Sequence, residues 1–105
     1  MDMWYNSTVN IPRKLPCDYT TLSRAERSLV REQYIVEQKG LCWHCGEPLN
    51  SEPNVSITAK PINLKLFPDG FLDNPIHLQH CHQTNMTEGA VHAYCNAYLW
   101  QYLFR

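Results

Sequence analysis

Cys42-Trp43-His44-Cys45 and, further along, His92-Ala93-Tyr94-Cys95-Asn96 are the two stretches that decide the architecture of this chain. Each carries two soft or borderline metal donors separated by two residues, and two such pairs describe a closed tetrahedral zinc site. Cys42, Cys45, His92 and Cys95 are therefore the expected ligands of a structural Zn²⁺. Gly40 before the first pair, with Gly46 and Pro48 after it, suits a knuckle at a tight turn. Ala90 to Trp100 has helical apolar spacing and no Gly or Pro, which predicts a helix presenting His92 and Cys95 on one face at i and i+3. A rival scheme joins His80 and His82 to Cys42 and Cys45, but it strands His92 and Cys95 without a role. Buried, reduced cysteines with no ion would leave the matched spacing unexplained.

The 105 residues, 44% of them hydrophobic, make one domain. It is small enough that a metal contributing on the order of 10 kcal/mol could decide whether it folds. Five cysteines are an odd count, and no charged-then-apolar leader opens the chain, so a secreted disulfide framework is not expected. No apolar run reaches the roughly 18 residues of a membrane span, so no membrane partner is expected and the compartment reads as cytoplasm. A net charge of −1 argues against a generally basic nucleic-acid binder. Arg24, Arg27 and Arg31 nevertheless recur at helical spacing, with Arg13 and Lys14 nearby, and could form one basic stripe or a solvated helix face.

Residues 1–19 read as an irregular strap, with Trp4, Tyr5 and Tyr19 available to dock, and residues 20–105 as the domain proper. Ser23-Arg24-Ala25-Glu26 has the form of a capping box, opening a helix that Gly40 stops. Five prolines then punctuate a long connection in which Val55-Ser56-Ile57-Thr58 is the best candidate strand, while 63–67 fits strand or loop. Ile76 to His80 alternates as a strand does, and Gln83 to Gly89 reads as loop. Tyr94, Tyr98, Trp100 and Leu103 are most simply packing residues; His44 is expected exposed and His77 at the surface.

A second chemical signal, His77-Leu78-Gln79-His80-Cys81-His82, lies between the two ligand pairs. A strand ending in histidines, a loop, and a helix carrying an Asn next to a zinc ligand can set an imidazole base and an amide oxygen around one phosphate.

Residues 31–101 resemble the HNH, or ββα-metal, nucleases, in particular the zinc-bearing phage group related to endonuclease VII. The resemblance rests on Gln38-Lys39-Gly40-Leu41-Cys42-Trp43-His44-Cys45, on the histidine-rich strand end and on Cys95-Asn96-Ala97-Tyr98-Leu99-Trp100. It implies a small zinc-stabilised α+β domain of ββα-metal type behind an N-terminal helix. It also implies His80 as general base, His82 as the second strand-end histidine and Asn96 as ligand of a catalytic Mg²⁺ or Mn²⁺. His92 stands where many relatives have Cys, and Asn85 where a left-handed turn often takes Gly.

This sequence departs from the family pattern at Gln79, where an Asp or His usually binds the catalytic cation, and at Cys81, usually Asp or Asn. A neutral amide should hold the cation less tightly than a carboxylate, with Gln79 only assisting Asn96. The expected function is metal-dependent hydrolysis of DNA phosphodiester bonds, with a zinc-stabilised nucleic-acid-binding or regulatory module lacking catalysis as the alternative. A monomer would nick DNA and a homodimer could break both strands.

Overall fold

The computed structural model describes residues 13–103, so Trp4 and Tyr5 lie outside the described part. Ser23 and Glu26 close the expected capping box: the Ser23 side chain accepts from the Glu26 N–H at 3.1 Å, and the Ser23 N–H donates to Glu26 Oε1 at 2.7 Å. The helix they open, α1, spans Arg24–Glu37 and buries Val30 and Tyr34. Its exit is a Schellman turn in which the Gly40 N–H reaches the Ile35 carbonyl and the Lys39 N–H that of Val36. Lys39 takes the left-handed position at φ 57°, and Gly40 follows at φ 77°, turning the chain directly into the knuckle.

Val55–Thr58 forms a single helical turn, α2, rather than the expected strand. Asn54 caps it by accepting from the Ser56 N–H, and Ile57 points into the core. Its β-branched composition suggested a strand, but a cap was at hand and no neighbouring strand was. Leu64–Leu66 is a short 3₁₀ turn capped in the same way by Asn63.

Strand β1, Ile76–His80, lies where alternation placed it and pairs antiparallel with β2, Thr87–His92. The register sets Ile76 opposite His92 and Leu78 opposite Ala90, with an irregularity between Gln79 and His80. The second strand corrects the sequence reading. Ala90, Val91 and His92 belong to β2, and the last helix, α3, begins only at Ala93 and runs to Leu103. Pairing with β1 overrides the helical apolar spacing of those residues. The loop between the strands turns at Asn85, which adopts φ 66°, the left-handed conformation expected of it.

Helices α1 and α3 both pack on the hairpin, giving a small α+β domain with a two-stranded sheet. Leu22, Val30, Tyr34, Leu49, Ile57, Ala90, Val91 and Cys95 form its core. Residues 17–19 run beside the hairpin. Thr87 N–H donates to the Cys17 carbonyl, and Tyr19 N–H to that of Asn85. Inside this seam Thr87 Oγ1 bonds Tyr34 Oη at 2.8 Å, satisfying two buried hydroxyls at once.

The outer edge of β2 is closed by the knuckle. Gln38 uses its amide as a surrogate strand, accepting from the Ala90 N–H at 2.8 Å and donating to the Ala90 carbonyl at 2.9 Å, which the Trp43 N–H also reaches. Gly89 makes this approach feasible, because a Cβ there would lie 2.7 Å from the Trp43 side chain. Among the described residues no helix is long and apolar enough to cross a membrane.

Candidate metal centre and the adjoining cleft

Three separate elements deliver the four expected zinc ligands to one point. Cys42 and Cys45 come from the knuckle after α1, His92 from the last position of β2, and Cys95 from the first turn of α3. Their ligand atoms all lie within 4.8 Å of one another, and Cys42, His92 and Cys95 are buried. Cys45 Sγ and Cys95 Sγ lie 3.5 and 3.6 Å from His92 Nδ1. Tetrahedral zinc with ordinary Zn–S and Zn–N bonds spaces such a pair by about 3.6 Å. His92 is thus a strand residue, not a helical one, yet it still meets Cys95 because the strand runs straight into the helix.

The surroundings fit an ion as well as the distances do. His92 Nε2 faces the Pro48 carbonyl at 2.9 Å, which fixes the proton there and leaves Nδ1 as the free donor. Cys42 Sγ accepts from the N–H groups of His44 and Cys45 at 3.4 and 3.5 Å. A hydrogen bond from the Cys95 thiol, followed by backbone N–H groups, brings the Cys42 thiol down to about 4 against the opposing effect of burial. Cys95, as the donor in that pair, is pushed well above the usual thiol range by the bond to Cys42, by burial and by the charges of Cys42 and Cys45. Two thiols sharing one proton are relieved when a cation replaces it. The cluster can hold a structural zinc ion, whereas the rival pair His80 and His82 is engaged elsewhere.

Turning the chain into α3 immediately after His92 sets Asn96 on the next residue past the zinc ligands. Its amide nitrogen is 3.0 Å from His77 Nδ1. His77 is therefore no surface residue: burial first, then the charge of Arg31, lowers its pKa, while backbone bonds at Phe71 and Asn74 pull the other way. The pair borders a cleft of about 310 Å³ whose opposite wall is the α1 face bearing Arg24, Arg27, Ser28 and Arg31. A larger groove of about 580 Å³ runs along Leu49, Pro53, Leu72, Pro75 and Tyr94. Its lining is mainly apolar, and its titratable groups are Glu52, Tyr94 and the candidate zinc ligand His92, so its size does not make it the chemical centre.

The arginine stripe thus lines a cleft, with Arg24 exposed to solvent and Arg27 and Arg31 half-buried. Arg31 donates to Ser28 Oγ at 3.1 Å, and Arg27 lies 4.1 Å over the Tyr19 ring. Arg27 Nε is buried with no hydrogen-bond partner among the described residues. Arg13, by contrast, is taken by Glu26. An unpaired buried donor costs about 1–3 kcal/mol, which an anion in the cleft would offset.

No family model, no curated protein and no solved structure matches this chain.

His80 stacks on Tyr19 at 3.9 Å between ring centroids and tilts against His82 at 4.5 Å, and Trp100 Nε1 donates to His82 Nε2 at 3.3 Å. Burial first, then the charges of His82 and Arg27, lowers the His80 pKa, which favours the neutral imidazole. Gln79 is drawn inside, 1% exposed, with its amide nitrogen donating to the His80 carbonyl and to Glu88. Cys81 closes the tight loop through Met86 and Asn85, and bonds from Thr84 and Gln83 lower its thiol pKa. His44, expected exposed, is half-buried with its ring 5.6 Å from Tyr98. The sequence reading passed over His77 as a site residue. Its position two residues before Gln79, on the same strand face, was the available signal.

Proposed function

We propose that the chain is a metal-dependent DNA endonuclease of the ββα-metal type, with its phosphodiester-hydrolysing centre formed by Asn96, the adjoining His77 and the strand-end histidines His80 and His82. The observation that carries this reading is the contact of Asn96 with His77 at the edge of a cleft lined by three arginines. Asn96 would hold the catalytic cation. His77, which meets Asn96 directly, supplies the second donor; Gln79 is turned inward, its amide nitrogen donating to Glu88 and to the His80 carbonyl. An amide oxygen with an imidazole nitrogen is a neutral, borderline donor set, suiting Mn²⁺ better than Mg²⁺. When bound, the cation would stabilise the charge that develops on the phosphate and the departing oxygen.

The chain's own groups have complementary tasks. Arg24, Arg27 and Arg31 bind the phosphate backbone in the cleft. His80, kept neutral by its surroundings, takes the proton of the attacking water, and His82 with Trp100 orients it by contact. Zinc fixes the end of β2 to α3 and so fixes Asn96 relative to the histidines of β1.

A neutral amide at position 79, turned inward, favours one other reading, a nucleic-acid-binding module without catalysis. Supercoiled plasmid distinguishes the two. Zinc-loaded protein with Mn²⁺ should convert it to nicked circles, and without added divalent cation it should not. Binding with no conversion under Mn²⁺, Mg²⁺ or Ni²⁺ would leave the binding module.

A further inference from the structure

We propose that the DNA this site takes is single-stranded at the point of contact, with one unpaired base stacked on Trp100. This inference rests on the nucleic-acid reading above and names its substrate form. Trp100 lies one helical turn beyond Asn96, so it projects from the same side of α3. Sequence reading assigned it to packing, yet it is 47% exposed.

Its ring is held rather than loose. Besides the bond from Nε1 to His82, it makes edge contacts with His82 at 5.7 Å and with Phe67 at 6.5 Å, at interplanar angles of 74° and 81°. Phe67 stacks on Phe71 at 4.7 Å, and Phe71 meets His77 edge-on at 4.8 Å. A continuous aromatic run therefore leads from an exposed indole to Phe71, which itself lines the arginine cleft. Arginines along one wall and a fixed aromatic plate joined to the cleft through Phe67 and Phe71 are what a single strand needs: charge for its phosphates and a π-face for a base. A duplex keeps its base faces stacked against one another and has none to offer Trp100. Charge complementarity at Arg24, Arg27 and Arg31 selects nucleic acid over a protein as the occupant, although Leu103, Leu64 and Leu66 are exposed too.

The test is fluorescence anisotropy with a labelled single-stranded oligonucleotide and its duplex. It uses zinc-loaded full-length protein with Ca²⁺ in place of Mn²⁺ so that binding is read without cleavage. The single strand should bind more tightly and quench tryptophan emission. Trp100→Leu, which keeps apolar volume but removes the flat face, should weaken single-strand binding roughly ten-fold and leave the duplex within about two-fold. Trp100→Phe should retain most of the affinity, and circular dichroism with zinc content will establish that both variants are folded. If Trp100→Leu unfolds, Trp100→Phe and the emission quenching of the parent carry the test. Equal or tighter duplex binding, or single-strand binding unchanged in Trp100→Leu, would overturn the inference while leaving the nucleic-acid reading standing. Failure to bind either DNA, including when Arg24, Arg27 and Arg31 are intact and salt is low, would overturn both.

Discussion

Stripping zinc from the protein is expected to abolish most of its helical circular-dichroism signal, and Cys42→Ser is expected to do nearly the same. The candidate ligands come from the knuckle, the end of β2 and the start of α3, so an ion held there would join three elements that otherwise meet over few large side chains. Among the largest fully buried side chains are Leu99, Val30 and Val91, together with the polar Gln79 and the ligand Cys95. A structural zinc site supplies on the order of 10 kcal/mol, more than a core of this size provides alone. Without the ion, the ligands left behind are mostly buried polar sulfur and imidazole. Helicity should be followed at 222 nm during titration with a chelator, and zinc quantified by elemental analysis. One zinc per chain with loss of helicity on removal is expected; full helicity in zinc-free protein would remove the ion from the account of the fold.

Replacing His80 with Ala is expected to lower the single-turnover nicking rate by about 10²–10⁴-fold while leaving DNA affinity and zinc content unchanged. A general base acts only as water attacks, so its loss appears in the rate and not in ground-state binding. His77→Ala should behave differently, raising the Mn²⁺ concentration needed for half-maximal rate because it removes a donor beside Asn96. The pH dependence has a definite sign. The His80 pKa is lowered from its ordinary 6.5, so the imidazole stays neutral and able to accept a proton to lower pH than a free histidine does. The rate should therefore hold as pH falls toward 6.5 and halve only below it; a midpoint above 6.5 would be evidence against His80 as the base. Linkage gives stability the same direction. His77 and His80 bind protons more readily in the unfolded chain, so stability is lost as pH falls below 6.5.

The cluster of Cys42, Cys45, His92 and Cys95 was legible because its chemistry is local: donor type and two-residue spacing survive whatever backbone carries them. The helix that was to carry His92 did not survive, since Ala90, Val91 and His92 satisfy a helical spacing in isolation and a ladder with β1 in context. The capping box and the left-handed Asn85 were equally local and stand as read. Val55–Thr58 shows the reverse case, where β-branched residues with no strand to pair with close instead into one capped helical turn. The site was less accessible for the same reason. Nothing in the order of residues shows that Gln79 turns inward to Glu88, or that His77, rather than Gln79, meets Asn96. Those facts depend on how the twisted hairpin lies on α3, which is a property of tertiary packing. The arginine stripe was visible as spacing, but only the placement of α1 opposite β1 and Asn96 turned it from a solvated face into a cleft wall.

The most direct test of the whole reading is the Mn²⁺ dependence of plasmid nicking by zinc-loaded Asn96→Ala beside the parent. In the proposed site Asn96 would link α3, which begins beside the candidate zinc ligands, to the reacting phosphate. Alanine there removes the amide without touching a zinc ligand, so zinc content and helicity should remain those of the parent. The parent is predicted to nick in proportion to bound Mn²⁺, and Asn96→Ala to lose at least about 100-fold in rate at any Mn²⁺ concentration, the scale of a lost transition-state contact. Nicking by the folded variant at the parent's rate would contradict the placement of the catalytic centre, and absence of nicking by the parent itself would contradict the enzyme.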